Sequence, residues 1–182
     1  QRIDFWIVGM GKLGARELGW GSDLDLVFLY DAEGESTGPR VLDHVEYFTR
    51  VAQHTLRLLS QADREGPGYA TDTRLRPFGA QGTLVSSLPR FARYFGDGEA
   101  GSRASEAAGW ERQAWVRAVP ITGSSAARAT AHALLTRAAY EGPPPEAREV
   151  ASMRRRIEEE LAGESEHTCL LYTSPSPRDR TR

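Results

Sequence analysis

One stretch of the chain decides its fold: Gly9-Met10-Gly11-Lys12-Leu13-Gly14, followed by Ser22-Asp23-Leu24-Asp25-Leu26-Val27-Phe28-Leu29-Tyr30. It reads as a glycine-rich loop that leads into an apolar strand with two carboxylates at its start. Because successive side chains of a strand point to opposite faces, Asp23 and Asp25 share one face. Leu24, Leu26 and Phe28 fill the other. Two carboxylates on one face repel each other, and a divalent cation held by hard oxygen ligands relieves that repulsion, so the pattern predicts a magnesium site.

A third carboxylate, Asp72, lies in the segment Tyr69-Ala70-Thr71-Asp72-Thr73-Arg74-Leu75-Arg76. If residues 69–76 form a strand, alternation places Asp72, Arg74 and Arg76 on one face. If that strand also lies beside 24–30, three carboxylates and two guanidiniums converge. These are the groups needed for two-metal nucleotidyl transfer, in which carboxylates hold the metal ions and arginine forks bind phosphate oxygens. The duller alternative is that the arginines pair with acidic neighbours.

Five segments carry a resemblance to a known family: Gly9–Asp31, Asp72–Pro77, Gly82–Leu88, Trp110–Ala114 and Glu149–Arg154. In this order they resemble a nucleotidyltransferase domain of the glutamine synthetase adenylyltransferases, and the resemblance covers most of residues 3–163. Enzymes of that family carry two such domains. One attaches AMP to a tyrosine of glutamine synthetase, and the other removes it by phosphorolysis. Residues 17–23 and 84–88 resemble the C-terminal, adenylylating copy.

The resemblance implies an α+β, polymerase-β-like nucleotidyltransferase fold: a small mixed or antiparallel sheet with helices, followed by a helical segment. It also implies ATP as the nucleotide, two Mg²⁺ ions, glutamine synthetase as the protein substrate, and regulation by a PII signalling protein through regions outside this chain. The implied catalytic and metal-binding residues are Asp23, Asp25 and Asp72, and the implied phosphate-binding residues are Gly11, Lys12, Gly14, Ser22, Arg74 and Arg76. In one respect the loop departs from the wider superfamily, because Gly11 is followed by Lys12 instead of Gly or Ser.

Other readings of the glycine loop remain open. The spacing Gly9-x-Gly11-x-x-Gly14 after an apolar strand also matches a dinucleotide-binding fingerprint of an oxidoreductase. A parallel crossover needs about 10–12 residues including its helix, and Gly19 and Gly21 leave too little helical chain before residue 24. A P-loop is excluded because Lys12 is followed by Leu13 rather than a hydroxyl residue. Two further alternatives are the adenylyl-removing copy and a metal-free, binding-only domain.

Composition limits the size of the core, the classes of binding partner and the location of the protein. The chain has 182 residues, 40% hydrophobic and 26% charged, which is typical of a globular domain with one sizeable core. A formal net charge of −2 gives no electrostatic reason to expect binding to nucleic acid or a membrane surface. No apolar run approaches the ~20 residues of a membrane span. One cysteine and no visible signal peptide favour a cytoplasmic location.

The pattern along the chain predicts strands at 3–8, 24–30, 69–76 and 83–86, a short helix at 12–18 and a long helix beginning after Pro39. Helices are expected around 104–118, 124–141 and 146–162, and an insertion at 96–102. We expect strands 24–30 and 69–76 to pair antiparallel. The predicted domains are 1–122, the nucleotidyltransferase domain, and 123–167, the start of a helical domain. Residues 168–182 are Ser/Pro/Arg-rich and resemble a non-native tail.

Overall fold

The computed structural model describes residues 3–62, 64, 66–96, 106–142, 146–156 and 159. Strands and helices are interspersed along these residues. In chain order they are β1 (Phe5–Gly9), α1 (Gly11–Gly14), β2 (Leu24–Tyr30), α2 (His44–Ser60), β3 (Thr71–Asp72), β4 (Val85–Ser87), α3 (Leu88–Phe95), α4 (Gly109–Trp115), β5 (Val119–Pro120), α5 (Ser125–Tyr140) and α6 (Ala147–Arg156). A short 3₁₀ turn at Gly79–Gln81 precedes β4. The expected α+β class is confirmed.

The sheet contains both parallel and antiparallel pairs, and β2 pairs with three strands: β1, β3 and β4. β1 pairs antiparallel with β2, with Phe5 opposite Tyr30 and Gly9 opposite Leu26, and β5 pairs antiparallel with the end of β1. β3 and β4 both run parallel to β2 and share its other edge. β3 lies beside the start of β2 and β4 beside its end.

Helices cover both faces of the sheet, because β1 and β2 alternate apolar side chains to either side. On one face, α2 packs through Phe48 and Ala52 against Leu26 and Phe28. On the other, α3, α4 and α5 pack against a second set of strand residues. The strand side chains of this second cluster are Trp6, Val8, Val27 and Leu29, and its helical side chains include Phe91, Tyr94, Phe95, Trp115, Ala131 and Leu135.

The prediction that strands 24–30 and 69–76 pair antiparallel is wrong. β2 and β3 are parallel, because the connection between them contains the 17-residue helix α2, and a helical crossover of this length is what a parallel pair requires. The helix begins later than expected. The side chain of Asp43 accepts a hydrogen bond of 2.6 Å from the Glu46 amide and caps the first turn, so Val41 lies outside the helix and is 60% exposed.

The segment between β1 and β2 contains only a stub helix, as expected, although it is shorter than the predicted 12–18. α1 ends at Gly14, and Arg16 adopts a left-handed backbone with φ of 60°, which ends the helix. A short connection joins antiparallel strands here. This geometry is inconsistent with the parallel crossover of a dinucleotide-binding fold.

One charged side chain is buried in the helical layer. Arg112 of α4 is 4% exposed and donates hydrogen bonds to the carbonyls of Ala138, at 2.8 Å, and of Phe95. These carbonyls belong to the last turns of α5 and α3, whose C-terminal carbonyls lack helical partners. Burial lowers the pKa of Arg112. The guanidinium therefore ties the ends of two helices to α4.

The remaining boundaries differ in detail from the predicted ones. β5 was not predicted, and the predicted helices at 104–118, 124–141 and 146–162 correspond to α4, α5 and α6. The domain boundary after residue 122 stays a prediction, and α5 contributes Ala131 and Leu135 to the same core as β1. Most of the predicted insertion, from residue 97, and the tail at 168–182 lie outside the described residues. Among the described helices, none has the length and apolarity to cross a membrane.

Candidate active site

The pairing of β2 with β3 brings two of the predicted carboxylates together. Asp25 lies directly opposite Asp72 in the ladder, as expected for neighbouring strands. Asp23 precedes the first residue of β2 by one position and has the same strand parity as Asp25. Both Asp23 and Asp25 are partly buried. The condition on which the sequence argument depended, that the strands carrying Asp25 and Asp72 are neighbours, is therefore met.

Arg74 binds Asp72 through a fork, and this contact also bends the chain. The guanidinium donates from Nε to Oδ2 at 2.9 Å and from Nη2 to Oδ2 at 2.5 Å. The backbone amide of Arg74 donates to Asp72 Oδ1 at 2.8 Å, which forms an Asx turn. The turn ends β3 at Asp72, so the predicted strand 69–76 is wrong beyond that residue. Asp72 and Arg74 meet through this turn and not through strand alternation.

Arg76 has a different set of partners from the one expected. Its Nη1 donates to the carbonyl of Thr73 at 2.7 Å and to Thr73 Oγ1 at 3.0 Å, and its Nε donates to the carbonyl of Gly82 at 3.3 Å. The guanidinium thus holds together the loop that follows Asp72. Phosphate binding by Arg76 stays a prediction, and its observed contacts give it a positioning role for the loop that carries Arg74.

The glycine loop lies against Asp25. Gly11 has a φ of +50°, and a Cβ at this position would stand 2.6 Å from Asp25 Oδ2. The Met10 amide donates to the Asp25 carbonyl at 2.9 Å and joins the loop to β2. A side chain at residue 11 is disfavoured by the left-handed backbone and would also displace the Asp25 carboxylate. The third glycine of the motif serves another purpose, since a Cβ on Gly14 would stand 1.8 Å from the Arg117 carbonyl oxygen.

Two other predicted phosphate ligands lie at the edges of this arrangement. Ser22 ends a tight turn in which its amide donates to the Gly19 carbonyl at 3.1 Å. Its Oγ is buried and has no hydrogen-bond partner within the described residues. Lys12 is partly buried, and its positive charge acts on Asp25. The Gly14 amide donates a hydrogen bond to the Met10 carbonyl at 3.0 Å. Phosphate binding by Gly14 stays a prediction, and the role that the structure shows for this glycine is close packing against Arg117.

The two facing carboxylates are electrostatically different. Burial raises the pKa of Asp25, the negative charge of Asp72 raises it further, and Arg74 and Lys12 oppose the shift. The pKa of Asp72 is lowered, chiefly by the hydrogen bonds from the Arg74 side chain. Asp25 is therefore the carboxylate whose charge the protein compensates less fully, and a nearby cation would stabilise it.

Sequence reasoning missed an anchor for the loop after Asp72. Phe78 has a left-handed backbone, with φ of 62°, and its ring centroid lies 4.5 Å from that of Tyr94. The Tyr94 hydroxyl donates to both oxygens of Glu111 at 2.8 Å, and Glu111 accepts from the Ala108 amide at the start of α4. Burial and this carboxylate raise the pKa of Tyr94 to about 12. Pro77-Phe78-Gly79 signals only a turn, so no local pattern predicts the contact.

The carboxylate side chains of the site are the type of ligand that Mg²⁺ prefers. The expected cluster of three carboxylates is not seen, however. Within the part of the chain that the structure describes, no three His, Cys, Asp or Glu side chains are grouped to hold a metal ion. The Asp72 carboxylate is bound by Arg74. Asp25 and Asp72 nevertheless supply hard oxygen donors at facing positions, and the missing side chain of Gly11 leaves space beside Asp25 Oδ2.

Comparison with known proteins points to one family. Residues 1–134 match the family model described as glutamate-ammonia ligase adenylyltransferase. The bifunctional glutamine synthetase adenylyltransferase/adenylyl-removing enzyme of Pseudomonas syringae pv. tomato is 49% identical over 122 residues, which are 66% of this chain and 12% of that protein. The enzyme of the same name from Acinetobacter baylyi is 38% identical over 172 residues, 91% of this chain and 18% of that protein. The chain thus spans less than a fifth of the length of either relative.

Proposed function

Because the chain belongs to the glutamate-ammonia ligase adenylyltransferase family, we propose that it forms the nucleotidyl-transfer site of an enzyme that moves AMP from ATP to a tyrosine of glutamine synthetase. The observation that carries the proposal is the placement of Asp25 opposite Asp72, with Gly11 against the first carboxylate and Arg74 against the second. This geometry concentrates negative charge and phosphate-binding donors at one end of β2. It supports the function that the names of the relatives describe.

Each group has a role in the proposed reaction. Asp25 and Asp72, with Asp23 beside them, would hold Mg²⁺, which when bound supplies Lewis-acid stabilisation of the triphosphate and of the attacking oxygen. The Arg74 side chain is 71% exposed, so its fork can turn from Asp72 to phosphate oxygens without losing burial. Gly11, Lys12 and Ser22, all partly buried, lie in the segment that leads into the start of β2. Their role would be to orient the nucleotide.

The acceptor hydroxyl needs help to lose its proton, because the unperturbed pKa of tyrosine is about 10. Its oxygen forms a bond to the α-phosphorus as the bond from that phosphorus to the bridging oxygen breaks, and pyrophosphate leaves. The Asp72 carboxylate, which lies opposite Asp25 on the neighbouring strand, would accept the proton. Arg74 offsets the charge of the departing pyrophosphate.

The test incubates the enzyme that contains this chain with α-labelled ATP, Mg²⁺ and glutamine synthetase, beside an Asp25→Asn variant. We expect label on glutamine synthetase with the wild type and a loss of at least ~100-fold in the variant. A second reaction supplies AMP-modified glutamine synthetase and inorganic phosphate. Release of ADP there, without labelling in the first reaction, would show the adenylyl-removing copy instead. Nucleotide binding with neither reaction would show a binding-only domain.

Regulation and location follow from the same proposal. We propose that a PII signalling protein controls the reaction through regions outside this chain and that the enzyme works in the cytoplasm. Addition of PII protein to the labelling reaction, with the complete enzyme, tests the first point.

A further inference from the structure

A buried tyrosine hydroxyl joins the loop that carries Arg74 to the helical layer. Tyr94 lies near the end of α3, and its hydroxyl hydrogen is shared between the two carboxylate oxygens of Glu111, each at 2.8 Å. The Phe78 backbone amide donates to the same hydroxyl oxygen, a contact that opposes the rise in the pKa of Tyr94. Because that pKa is raised to about 12, the hydroxyl keeps its proton at neutral pH and remains a donor to Glu111. One atom therefore connects the loop after Asp72 to α4.

Phe78 has an uncommon backbone conformation at this contact. Its φ of 62° and ψ of 12° lie in the left-handed region, which bulky side chains rarely adopt. Such a conformation persists where the surrounding contacts enforce it, and it is found preferentially at functional sites. Pro77 is buried, and Leu75 packs against the same cluster of helical side chains. Apolar packing is non-directional, whereas a hydrogen bond has a preferred direction, so the Tyr94 hydroxyl is the contact that orients the Phe78 peptide.

The turn at Phe78 is linked to the backbone of Arg74. The Gly79 amide donates to the Arg76 carbonyl at 2.8 Å, and the Arg76 guanidinium donates to the carbonyl of Thr73 at 2.7 Å. The Arg74 carbonyl oxygen also borders the turn, since it lies 3.6 Å from the position of a Cβ on Gly79. The orientation of the Phe78 peptide is therefore passed to the segment from which the Arg74 side chain extends.

Glu111 is itself fixed in place. Its Oε2 accepts from the Ala108 amide at 2.8 Å, which caps the first turn of α4. The next residue, Arg112, is buried and binds the last carbonyls of two other helices. The carboxylate that holds the Tyr94 hydroxyl thus belongs to a well-anchored helix. Arg74, at the other end of the network, has a mostly exposed side chain, so its reach is set by its backbone.

We propose that Tyr94 is a positioning residue for nucleotidyl transfer, because its hydroxyl, held by Glu111, fixes the Phe78 turn and thereby the point from which Arg74 reaches phosphate oxygens. The proposal rests on the proposed function, in which Arg74 offsets the charge of the departing pyrophosphate. That charge develops in the transition state. Displacement of Arg74 therefore lowers kcat and leaves the KM for the protein substrate unchanged.

The test compares Tyr94→Phe with Tyr30→Phe in the complete enzyme. Tyr30 is a matched control, because it is also buried and its hydroxyl is hydrogen-bonded to the Ser87 side chain. It lies five positions beyond Asp25 on β2, roughly 16 Å along the strand. The measurement is AMP incorporation at varied ATP and varied glutamine synthetase, at a temperature where thermal melting shows all variants folded. We expect kcat to fall roughly 10-fold in Tyr94→Phe, with the KM for glutamine synthetase within about twofold of the wild type. Tyr30→Phe should keep the wild-type kcat.

A second comparison tests whether Tyr94 acts through Arg74. In an Arg74→Lys background, which keeps a positive charge but lacks the fork, the added Tyr94→Phe change should lower kcat by less than about twofold. An equal loss in both backgrounds would overturn the proposal, because it would show that the hydroxyl acts independently of Arg74.

Other results separate the remaining alternatives. A lower melting temperature with an unchanged kcat in Tyr94→Phe would show a structural role and overturn positioning alone. An equal loss of kcat in Tyr30→Phe would also overturn it, because the effect would then follow from the loss of any buried hydroxyl. A wild type that fails to modify glutamine synthetase would overturn the proposed function, and the positioning role with it.

Discussion

Replacement of Gly11 by alanine tests the contact between the glycine loop and Asp25. The backbone of Gly11 has a φ of +50°, and this conformation costs an alanine about 1–2 kcal/mol. The added Cβ would also stand 2.6 Å from Asp25 Oδ2, a separation that Cβ atoms essentially never show. To reach even 3.0 Å, the carboxylate or the loop must move by about 0.4 Å, and displacements of up to about 1 Å can cost ~100-fold in rate. We therefore expect a loss of AMP transfer between about 10-fold and 100-fold.

Gly79→Ala is the matched control, because its φ of +55° is close to that of Gly11. The nearest atom to a Cβ at Gly79 is the Arg74 carbonyl oxygen at 3.6 Å, an ordinary contact. Both variants should lower the melting temperature by a similar few degrees, since both carry the same backbone strain. The assay is labelled AMP incorporation into glutamine synthetase at saturating ATP, beside thermal melting of each variant. If Gly11→Ala transferred AMP as fast as Gly79→Ala, the loop would have no role in positioning Asp25, and the reasoning would be refuted.

The remaining predictions concern charge. Asp25→Asn should raise the melting temperature slightly at neutral pH without Mg²⁺, because the raised pKa of Asp25 means that its charge opposes folding above that pKa. A lower melting temperature would contradict this. Asp72→Asn should destabilise the protein at pH 7, and its cost should decrease as the pH falls below the ordinary carboxyl pKa of about 4, since the stability that a lowered pKa provides is lost as the pH falls through the folded value. Urea unfolding along a pH series measures this, and a cost independent of pH would refute it. Arg112→Leu should cost about 3 kcal/mol or more, because it leaves two buried helix-end carbonyls without donors. Arg137→Leu, which breaks an exposed ion pair on α5, should cost less than about 1 kcal/mol in the same urea experiment.

Alternation along a strand was sufficient to predict which side chains of β2 share a face. Leu26 and Phe28 pack on α2, and Asp25 lies on the opposite face and reaches Asp72. This inference succeeds because strand periodicity is fixed by backbone geometry and needs no tertiary information.

The parts that could not be predicted depend on contacts between distant residues. The parallel direction of β3 depends on how α2 crosses the sheet, and the end of β3 depends on the Asx turn between Asp72 and Arg74. Asp72 and Arg74 are residue types that occur both in an Asx turn and in a strand beside a metal site. Composition therefore could not distinguish a turn from a continued strand. β5 has only two residues, one of them Pro120, and it is a strand because it pairs with β1.

The central position of β1 has a consequence for synthesis on the ribosome. β1 is the first strand of this chain, yet it is flanked in the sheet by β2 and by β5, and the Ile7 carbonyl accepts its hydrogen bond from the Ile121 amide. Trp6 and Val8 pack in the same core as Leu135 of α5. More than a hundred residues must therefore be translated after β1 before its edge and its apolar face are covered. Until then a nascent chain exposes this strand, and we expect chaperones that hold extended apolar segments to bind it while the later helices emerge.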